Sequence, residues 1–306
     1  MAKAAWLEIS LVVNGEMAEA VAEVLSRHVQ DGIAIENIEI PEHFEENKAI
    51  TGPLRVSGYL PMNDQVEENR RRIEEALWHL GQIHPLPNPE FKPIQETNWM
   101  EAWKKNYRPI PVGKKLIILP IWIDNPEPTR IPIKIDPGMA FGTGVHPTTQ
   151  LSLRLLEDYV RSGTTVMDIG CGSGILSIAA HKLGAGVVYS VDVDGQAVEI
   201  ARENADKNGI EEGGVVFETG SIGEIRSGLF PLQQAPVVVA NILTHILIKL
   251  LDQSLADLIA QDGILLLSGI LEEHEPEMQA AVEKHGLTII KRTQLDDWVA
   301  FSIKNS

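Results

Sequence analysis

From Thr164 to its end, the chain alternates short apolar runs of strand length with segments of helical periodicity. Apolar runs rich in valine, leucine and isoleucine are typical of strands buried on both faces of a sheet. Strands joined through helices run parallel, with helices covering both faces. This part of the chain is therefore predicted to form an α/β, doubly wound sheet. Its helices are predicted at 174–183, 196–208, 245–258 and 276–285, and its last two strands, 287–295 and 297–304, are predicted to be antiparallel.

Residues 1–95 follow a different order, β-α-β-β-α-β, which predicts a small α+β ferredoxin-like domain whose sheet has one open face for a partner. Trp99, Trp103 and Tyr107 recur four residues apart, as on one face of a helix, before Pro109 ends the pattern. Residues 96–110 are therefore predicted to be a linker helix. Residues 111–306 are assigned to the second domain.

The chain has 306 residues, of which 44% are hydrophobic and 23% charged, and a formal net charge of -17. Such an acidic chain is poorly suited to neutralising a nucleic-acid backbone, so a basic partner is favoured. The apolar runs are shorter than a membrane helix requires, and the N-terminal residues lack the pattern of a signal peptide. The single cysteine, Cys171, fits a reducing compartment, and the cytoplasm is expected. Histidines such as His181, His245 and His274 lack metal-site spacing, so no metal is expected.

The segment "VMDIGCGSGILSIAA", residues 166–180, reads as a strand, a turn with glycines at 170, 172 and 174, and a helix. Glycines let the backbone approach a ligand closely and pack the helix on the sheet. The turn is therefore a predicted ligand site. The alternative is an ordinary tight turn between a strand and a helix.

The next predicted strand ends at Asp192, about twenty residues beyond the glycine-rich turn. A carboxylate there is placed to accept hydrogen bonds from both ribose hydroxyls of a nucleoside. The glycine-rich turn and Asp192 together predict a nucleoside cofactor. The alternative for Asp192 is an ordinary turn residue at the end of a strand. Asp194, just outside the strand, is predicted to cap the following helix.

Two cofactor classes compete for such a site. A dinucleotide site uses the spacing G-x-G-x-x-G, which places a pyrophosphate on a helix N-terminus. This turn reads G-x-G-x-G, and Asp168 stands two residues ahead of it. A carboxylate at that point repels a pyrophosphate but attracts a cation. The pattern favours S-adenosylmethionine, which carries a sulfonium and an α-amino group, over the cofactor of a dehydrogenase.

The motifs "DIGCGSG" and "VDVD" resemble the first two motifs of class I methyltransferases. The loop "DPGMAFGTGVHPTT", residues 136–149, closely resembles the signature loop of the PrmA-type enzymes, which methylate ribosomal protein eleven of the large subunit. "VVVANIL", residues 237–243, is similar to their fourth motif, and "W..AWK" to their linker. The resemblance covers nearly the whole chain, and the loop is its most specific part.

The resemblance implies a class I methyltransferase (Rossmann-like) domain behind the ferredoxin-like one, and methylation of the lysines and N-terminal amine of that ribosomal protein, free or in the ribosome. It implies cofactor contacts at Thr149, Gly170, Asp192 and Asn241, with Phe141 and His146 lining the pocket. Asp168 and Gly172 complete the predicted cofactor site. Residues 218–236 are longer than is usual in the family, which leaves Gly220 and Ser221 as candidates for the adenine side. A monomer is expected.

Methyl transfer to an amine requires an orienting group more than a base. Asn241, at the end of the fourth strand, offers a neutral amide carbonyl to the amine N–H groups and is the predicted catalytic residue. His146 is the second catalytic candidate, either as a proton acceptor or as a wall of the pocket. The alternative is a structural role, in which Asn241 is a turn residue that ends the strand.

The loop "FGTGVHPTT", residues 141–149, is predicted to be a lid over the cofactor. Gly142 and Gly144 supply the bend, and Pro147 begins a helix that carries Thr149. A phosphate-binding loop is excluded because no lysine follows these glycines.

Two rival functions remain. A nucleic-acid base methyltransferase also uses an asparagine at the fourth strand end, but "NIL" has neither the proline nor the aromatic residue of that motif. A non-catalytic RNA-binding or ribosome-assembly protein would use the ferredoxin-like sheet as its platform. "PLRVSGYLP" has one tyrosine and lacks the aromatic pattern that such a platform needs.

Overall fold

The computed structural model describes residues 6–13, 15–26, 28–29, 33–37, 54–63, 65–82, 85–94, 109–135, 144, 146–211 and 213–305. The chain divides into two compact units, Met1–Tyr107 with Pro137–Met139, and Arg108–Asp136 with Ala140–Ser306. The predicted linker stripe of Trp99, Trp103 and Tyr107 and the predicted pocket residue Phe141 lie outside the described residues.

The first unit contains four strands and two helices among its described residues. They are β1 (Trp6–Val13), α1 (Gly15–Ser26), β2 (Ile33–Asn37), β3 (Leu54–Pro61), α2 (Val66–Gly81) and β4 (Glu90–Ile94). The strands lie in the order β2-β3-β1-β4, and every neighbouring pair is antiparallel. Alternate residues of β1, from Leu7 to Val13, pack with β3 and both helices in one apolar core.

Three residues on the opposite face of this sheet have low exposure. Ser10, Ser57 and Tyr59 point away from the helices by strand alternation, yet they are 8%, 1% and 6% exposed. The prediction of one open sheet face stays a prediction for the rest of this face. Strand periodicity shows which residues share a face, but it does not show what covers that face.

The second unit begins with a small sheet that the sequence analysis does not predict. Its strands are β5 (Ile110–Val112), β6 (Leu116–Pro120) and β7 (Ile131–Ile135), in that order, with β5–β6 antiparallel and β6–β7 parallel. The Arg130 guanidinium holds it together by donating to the carbonyl oxygens of Gly113 and Leu116, at 2.9 and 3.0 Å.

A seven-stranded sheet forms the core of the second unit. Its strands are β8 (Thr165–Ile169), β9 (Val187–Asp192), β10 (Val215–Thr219), β11 (Ala235–Asn241), β12 (Ile259–Leu271), β13 (Leu287–Leu295) and β14 (Trp298–Asn305). They lie in the order β10-β9-β8-β11-β12-β14-β13. The first five are parallel and β14 is antiparallel to both of its neighbours, which confirms the predicted parallel sheet with an antiparallel closing pair.

Helices cover this sheet. They are α3 (Pro147–Tyr159), α4 (Ile175–Lys182), α5 (Gly195–Lys207), α6 (Ile222–Arg226), α7 (Thr244–Asp252) and α8 (Glu275–Lys284). The helix predicted at 245–258 is wrong at its C-terminal end. Ser254 adopts a left-handed φ of 74°, which ends α7 and starts a separate 3₁₀ turn, Leu255–Leu258. Within the described residues, helices of the length and apolarity needed to cross a membrane are absent.

The strand order creates a crevice at the carboxyl ends of β8 and β11. From β8 the chain continues to β9 and β10 on one side, and it returns to β11 and β12 on the other. In open α/β sheets, ligands bind at this reversal point, outside the carboxyl ends of the strands. Asp168, Asp192 and Asn241, the acidic and amide residues singled out from the sequence, all lie at or near the ends of these strands.

Glu157 of α3 anchors the β5–β6 hairpin through its carboxylate, which accepts the backbone N–H groups of Lys114, Lys115 and Leu116 at 2.8 to 3.0 Å. We expect Glu157→Ala to lower the free energy of unfolding by about 2–3 kcal/mol, because hydrogen bonds to a charged group are stronger than average and three donors lose their acceptor. Denaturant unfolding followed by circular dichroism measures this change.

The neighbouring carboxylate supplies a matched control. Asp158 is exposed and pairs with Lys291 at 2.6 Å on the surface, so Asp158→Ala is expected to change the unfolding free energy by less than about 1 kcal/mol. Equal effects of the two substitutions would show that Glu157 does not anchor the hairpin.

Candidate active site

The glycine-rich turn follows β8 directly, and its glycines adopt conformations that other residues avoid. Gly170, Gly172 and Gly174 have φ values of 77°, 51° and 78°. A Cβ atom at Gly170 would lie 2.6 Å from the Ile242 side chain, and one at Gly174 would lie 2.9 Å from Ala201 Cβ. The turn therefore needs glycine at these two positions both for its backbone conformation and for space.

Asp192 joins the end of β9 to this turn. Its Oδ2 accepts the N–H of Gly172 at 2.9 Å, and its Oδ1 accepts the N–H of Asp194 at 3.0 Å. Each carboxylate oxygen has a second lone pair for a further donor. Asp192 is thus a fixed, partly exposed acceptor beside the turn. Asp194 caps α5 by accepting the N–H of Gln196 at 2.9 Å, which confirms its predicted capping role.

Asp168 lies beneath the turn and is completely buried. Its Oδ2 accepts the hydroxyl of Ser177 at 2.5 Å, and the Ser177 and Ser190 hydroxyl oxygens are 2.7 Å apart. Its Oδ1 has no hydrogen-bond partner within the described part of the chain. Burial raises the pKa of Asp168 to about 7, the Ser177 hydrogen bond opposes that rise, and the charge of Asp192 adds to it. The site therefore holds a buried carboxylate with one unsatisfied oxygen.

Cys171 lies inside the turn and is 5% exposed. Burial raises the pKa of its thiol far above the usual range, and the nearby Asp168 and Asp192 charges raise it further. The thiol therefore stays protonated and is not a nucleophile. Within the described residues, His, Cys, Asp and Glu side chains do not gather into a metal-binding group.

Asn241 ends β11 on the other side of the crevice. Its Nδ2 donates to Thr149 Oγ1 at 3.4 Å, and Thr149 is fully buried in the first turn of α3. With the amide nitrogen directed to Thr149, the amide oxygen remains as an acceptor at the strand end. The structure thus brings together two predicted site residues that are 92 positions apart in the sequence.

The first turn of α3 is fixed over the ends of β11 and β12. The Thr148 carbonyl oxygen accepts the hydroxyl of Ser268, the β12 residue opposite Asn241, at 3.0 Å. Gly269, with φ 88°, follows Ser268, and a Cβ atom there would overlap the Ile242 carbonyl oxygen. Glycine at 269 therefore lets β12 approach the backbone just beyond Asn241 closely.

His146 is the N-cap residue of α3. Its Nδ1 accepts the N–H of Thr148 at 3.3 Å and lies 2.7 Å from Thr148 Oγ1. The imidazole also packs against the Trp298 indole in a T-shaped contact, with ring centroids 4.7 Å apart. These contacts commit Nδ1 to capping the helix. Pro147 occupies the first turn of α3, as the sequence predicts.

The adenine-side candidates lie at the end of β10. The Gly220 N–H donates to the Asp192 carbonyl oxygen at 2.9 Å, and the Ser221 N–H donates to Glu224 Oε2 at 2.9 Å at the start of α6. Ser221 is thus engaged in capping a short helix. Val193, which carries no sequence prediction, lies between Asp192 and Asp194 and is 77% exposed.

Four further residues at the site carry no sequence prediction: Ser177, Ser190, Ser268 and Trp298. The serines interrupt the buried apolar segments "GILSIAA", "VVYSVD" and "LLLSGI", and a polar side chain in a buried segment indicates an internal partner. That signal was available in the sequence. Trp298 is brought in by the β13–β14 hairpin, and local sequence holds no signal for its contact with His146.

The fold and the site together define a class I methyltransferase. The antiparallel β14 between β12 and β13 differs from the order 3-2-1-4-5-6 of dinucleotide-binding sheets. The family model "Ribosomal protein L11 methyltransferase (PrmA)" matches residues 5–306. The chain belongs to this family.

Relatives and solved structures agree with this assignment. The chain is 38% identical to the ribosomal protein L11 methyltransferase of Chloroflexus aurantiacus, over 98% of each chain. It is 37% identical to that of Herpetosiphon aurantiacus, over 97% of this chain and 98% of the relative. A crystal structure of ribosomal protein L11 methylase from Lactobacillus delbrueckii subsp. bulgaricus is 33% identical, with a TM-score of 0.59, and covers 65% of this chain and 100% of its own.

Proposed function

We propose that this enzyme transfers methyl groups from S-adenosylmethionine to amino groups of ribosomal protein L11, namely lysine side chains and the N-terminal amine. Relatives of 35–38% identity are named for that substrate. The observation that carries the proposal is the fully buried Asp168, with its unsatisfied oxygen, beside a glycine turn and across the crevice from the neutral amide of Asn241. This arrangement accepts a cationic nucleoside on one side and an amine on the other.

The described residues fit S-adenosylmethionine. A buried carboxylate with a free oxygen is costly unless a cation or donor satisfies it, and the α-amino group of this cofactor can do so directly or through a water molecule. Asp192 offers two oxygens, each with a free lone pair, to ribose hydroxyls. Gly170 and Gly172 allow close approach of the backbone, and Thr149 and Phe141 complete the proposed set. When bound, the cofactor supplies a methyl group activated by its sulfonium.

Asn241 is proposed to orient the acceptor amine through its amide oxygen. The amine must be neutral to present its lone pair, which costs a lysine roughly 4–5 kcal/mol at pH 7 and an N-terminal amine about 1 kcal/mol. An apolar, dehydrated site lowers the amine pKa and so reduces that cost. A neutral amide orients the amine without stabilising its ammonium form, whereas a carboxylate would stabilise that form.

His146 is proposed to shape the site by capping α3 and packing against Trp298. A backbone N–H only donates, so the imidazole nitrogen that accepts the Thr148 N–H uses its lone pair for capping. This contact supports a structural role and leaves Nδ1 unsuited to receiving the amine proton.

The first unit is proposed to be a ferredoxin-like domain, residues 1–95, that recognises the ribosomal protein, with a linker helix at 96–110 and the catalytic domain at 111–306. The β-α-β-β-α-β order and the strand order β2-β3-β1-β4 support this assignment. A net charge of -17 favours a basic protein partner over nucleic acid. A cytoplasmic monomer that acts on free or ribosome-bound protein is proposed.

Asp192→Ala is expected to weaken S-adenosylmethionine binding by about tenfold or more, because the ribose loses its acceptor and the Gly172 N–H loses its partner. Isothermal titration calorimetry measures the affinity. Asp194→Ala removes a helix cap two residues away and should leave the affinity nearly unchanged. Undiminished affinity in Asp192→Ala would remove this residue from the cofactor site.

The proposed function is tested by incubating the enzyme with methyl-labelled S-adenosylmethionine and separated ribosomal proteins and ribosomal RNA. Label in the band of ribosomal protein L11, retained after removal of RNA, is the expected result. Label in RNA would establish the base-methyltransferase alternative. Cofactor binding without any labelled product would favour the non-catalytic assembly protein.

A further inference from the structure

A pocket of about 300 Å³ lies beside Asn241, over the ends of β11 and β12. Its lining includes Leu243, His245, His274, Glu277 and Trp298. Because β12 flanks β11 on the side away from β8, the pocket lies on the opposite side of Asn241 from the glycine turn and Asp192. It is therefore separate from the residues assigned to the cofactor.

One part of the pocket is apolar. Trp298 is 8% exposed and is held in place by its T-shaped contact with His146, while Leu243 is 49% exposed. Long basic side chains bury their aliphatic stems on such surfaces and keep the charged end at a polar group. An indole ring also attracts a nearby cation.

The other part carries negative charge. Glu277 is the acidic residue of the lining, and Asp297 directly precedes the lining residue Trp298 in the sequence. The three cations of residues 271–298 have other partners: Lys284 pairs with Asp252, Lys291 with Asp158 and Arg292 with Glu275. Within the described residues, Glu277 and Asp297 lack a lysine or arginine partner.

Two helix N-termini oppose this charge, since α7 begins at Thr244 and α8 at Glu275. Each is equivalent to roughly half a positive charge. Together they amount to about one positive charge, against the carboxylates of Glu277 in the lining and of Asp297 next to Trp298, with the lining histidines His245 and His274 counted as neutral. The balance at the pocket is negative, so it favours a cation.

We propose that this pocket binds a second basic side chain of the protein substrate, next to the amine that is methylated. The inference rests on the proposed function and adds a specificity element to it. A carboxylate such as Glu277 holds an amine as ammonium, which has no lone pair, whereas the neutral Asn241 amide does not. The cation at Glu277 therefore anchors the segment, and the amine at Asn241 reacts.

Synthetic peptides with one acceptor lysine in a glycine-serine background test the proposal with the full-length enzyme. A second residue, placed at each neighbouring position in turn, is lysine, norleucine or glutamate. At one or two positions, lysine is expected to lower KM about tenfold relative to norleucine, with kcat little changed. Peptides that are not methylated are tested as competitive inhibitors of ribosomal protein L11 methylation. In that assay lysine peptides are expected to inhibit more strongly than norleucine peptides.

Glu277→Gln should abolish the preference for lysine, and Glu277→Lys should reverse it in favour of glutamate. Glu273→Gln, an exposed neighbour outside the pocket lining, is the matched control and should keep the lysine preference. A reversal by Glu277→Lys would not follow from a merely structural role.

Equal KM values for lysine and norleucine peptides in the wild-type enzyme would overturn the inference. So would a lysine preference that survives Glu277→Gln. In either case methylation of ribosomal protein L11 itself remains, and the proposed function stands. Absence of methylation of that protein, with the cofactor bound, would instead reject the proposed function.

Discussion

Asn241→Ala is expected to lower kcat for amine methylation by about 10²–10³-fold while changing the dissociation constant of S-adenosylmethionine only slightly. In the proposed mechanism the amide oxygen of Asn241 orients the acceptor amine, and removing one preorganised polar group of this kind typically costs about that much in rate. Asp168 and Asp192 remain intact in this variant, so cofactor affinity is expected to fall much less than turnover. Single-turnover kinetics and calorimetry measure the two quantities separately.

Asn241→Asp supplies a control of the same shape. A carboxylate at this position stabilises the ammonium form of the amine, so the activity profile should move to higher pH rather than fall uniformly. A purely structural role for Asn241 would not shift that profile. Unchanged turnover in Asn241→Ala, with unchanged affinities for both substrates, would reject the catalytic assignment.

Asp168→Asn is expected to weaken S-adenosylmethionine binding by about 10–100-fold at pH 8, because a charge-assisted contact with the cofactor is lost while the side-chain shape is kept. The wild-type affinity should also depend on pH. Burial raises the pKa of Asp168 to about 7, so a cationic ligand finds the carboxyl protonated below that pH. Affinity is therefore expected to rise from about pH 5.5 to about pH 7, below the range near pH 8 in which the α-amino group of the cofactor loses its own proton. Calorimetry at several pH values measures both effects.

The same pKa has a consequence for the ligand-free protein. The folded state binds the Asp168 proton more tightly than the unfolded state, whose carboxyl has the ordinary value of 3.8. The stability that this group contributes is complete below about pH 4 and is lost as pH rises through about 7. Asp168→Asn should remove this dependence and stabilise the cofactor-free protein at pH 8, by an amount on the order of a few kcal/mol.

A cofactor affinity of the wild-type protein that does not change from pH 5.5 to 8 would contradict the assignment of Asp168 to the cofactor site.

The sheet and its ligand edge were predictable because each rests on a local signal. Apolar runs and helical periodicity identify the strands from β8 to β14, and glycines at 170, 172 and 174 mark the turn. Asp192 and Asn241 are recognisable because each ends such a run. The parallel arrangement then brings strand ends together without further information.

Other parts of the site depend on contacts between distant segments. Trp298 reaches His146 through the β13–β14 hairpin, and Ser268 holds the Thr148 carbonyl across 120 positions. The small β5–β7 sheet has short strands whose pairing is fixed by Arg130 and Glu157. The end of α7 is set by the left-handed backbone conformation of Ser254, and the presence of a serine in the sequence does not predict that conformation. His146 was open to two interpretations, and its helix-capping contact was recognisable only from the structure.

We propose that this chain methylates amines of ribosomal protein L11 at the crevice between β8 and β11. Intact-mass spectrometry of purified ribosomal protein L11 after incubation with S-adenosylmethionine and enzyme tests it most directly. The wild-type enzyme is predicted to add whole methyl groups to lysine or N-terminal nitrogens, and Asn241→Ala, with cofactor bound, is predicted to add almost none in the same time. An unchanged mass with wild-type enzyme, or equal methylation by both, would contradict the account.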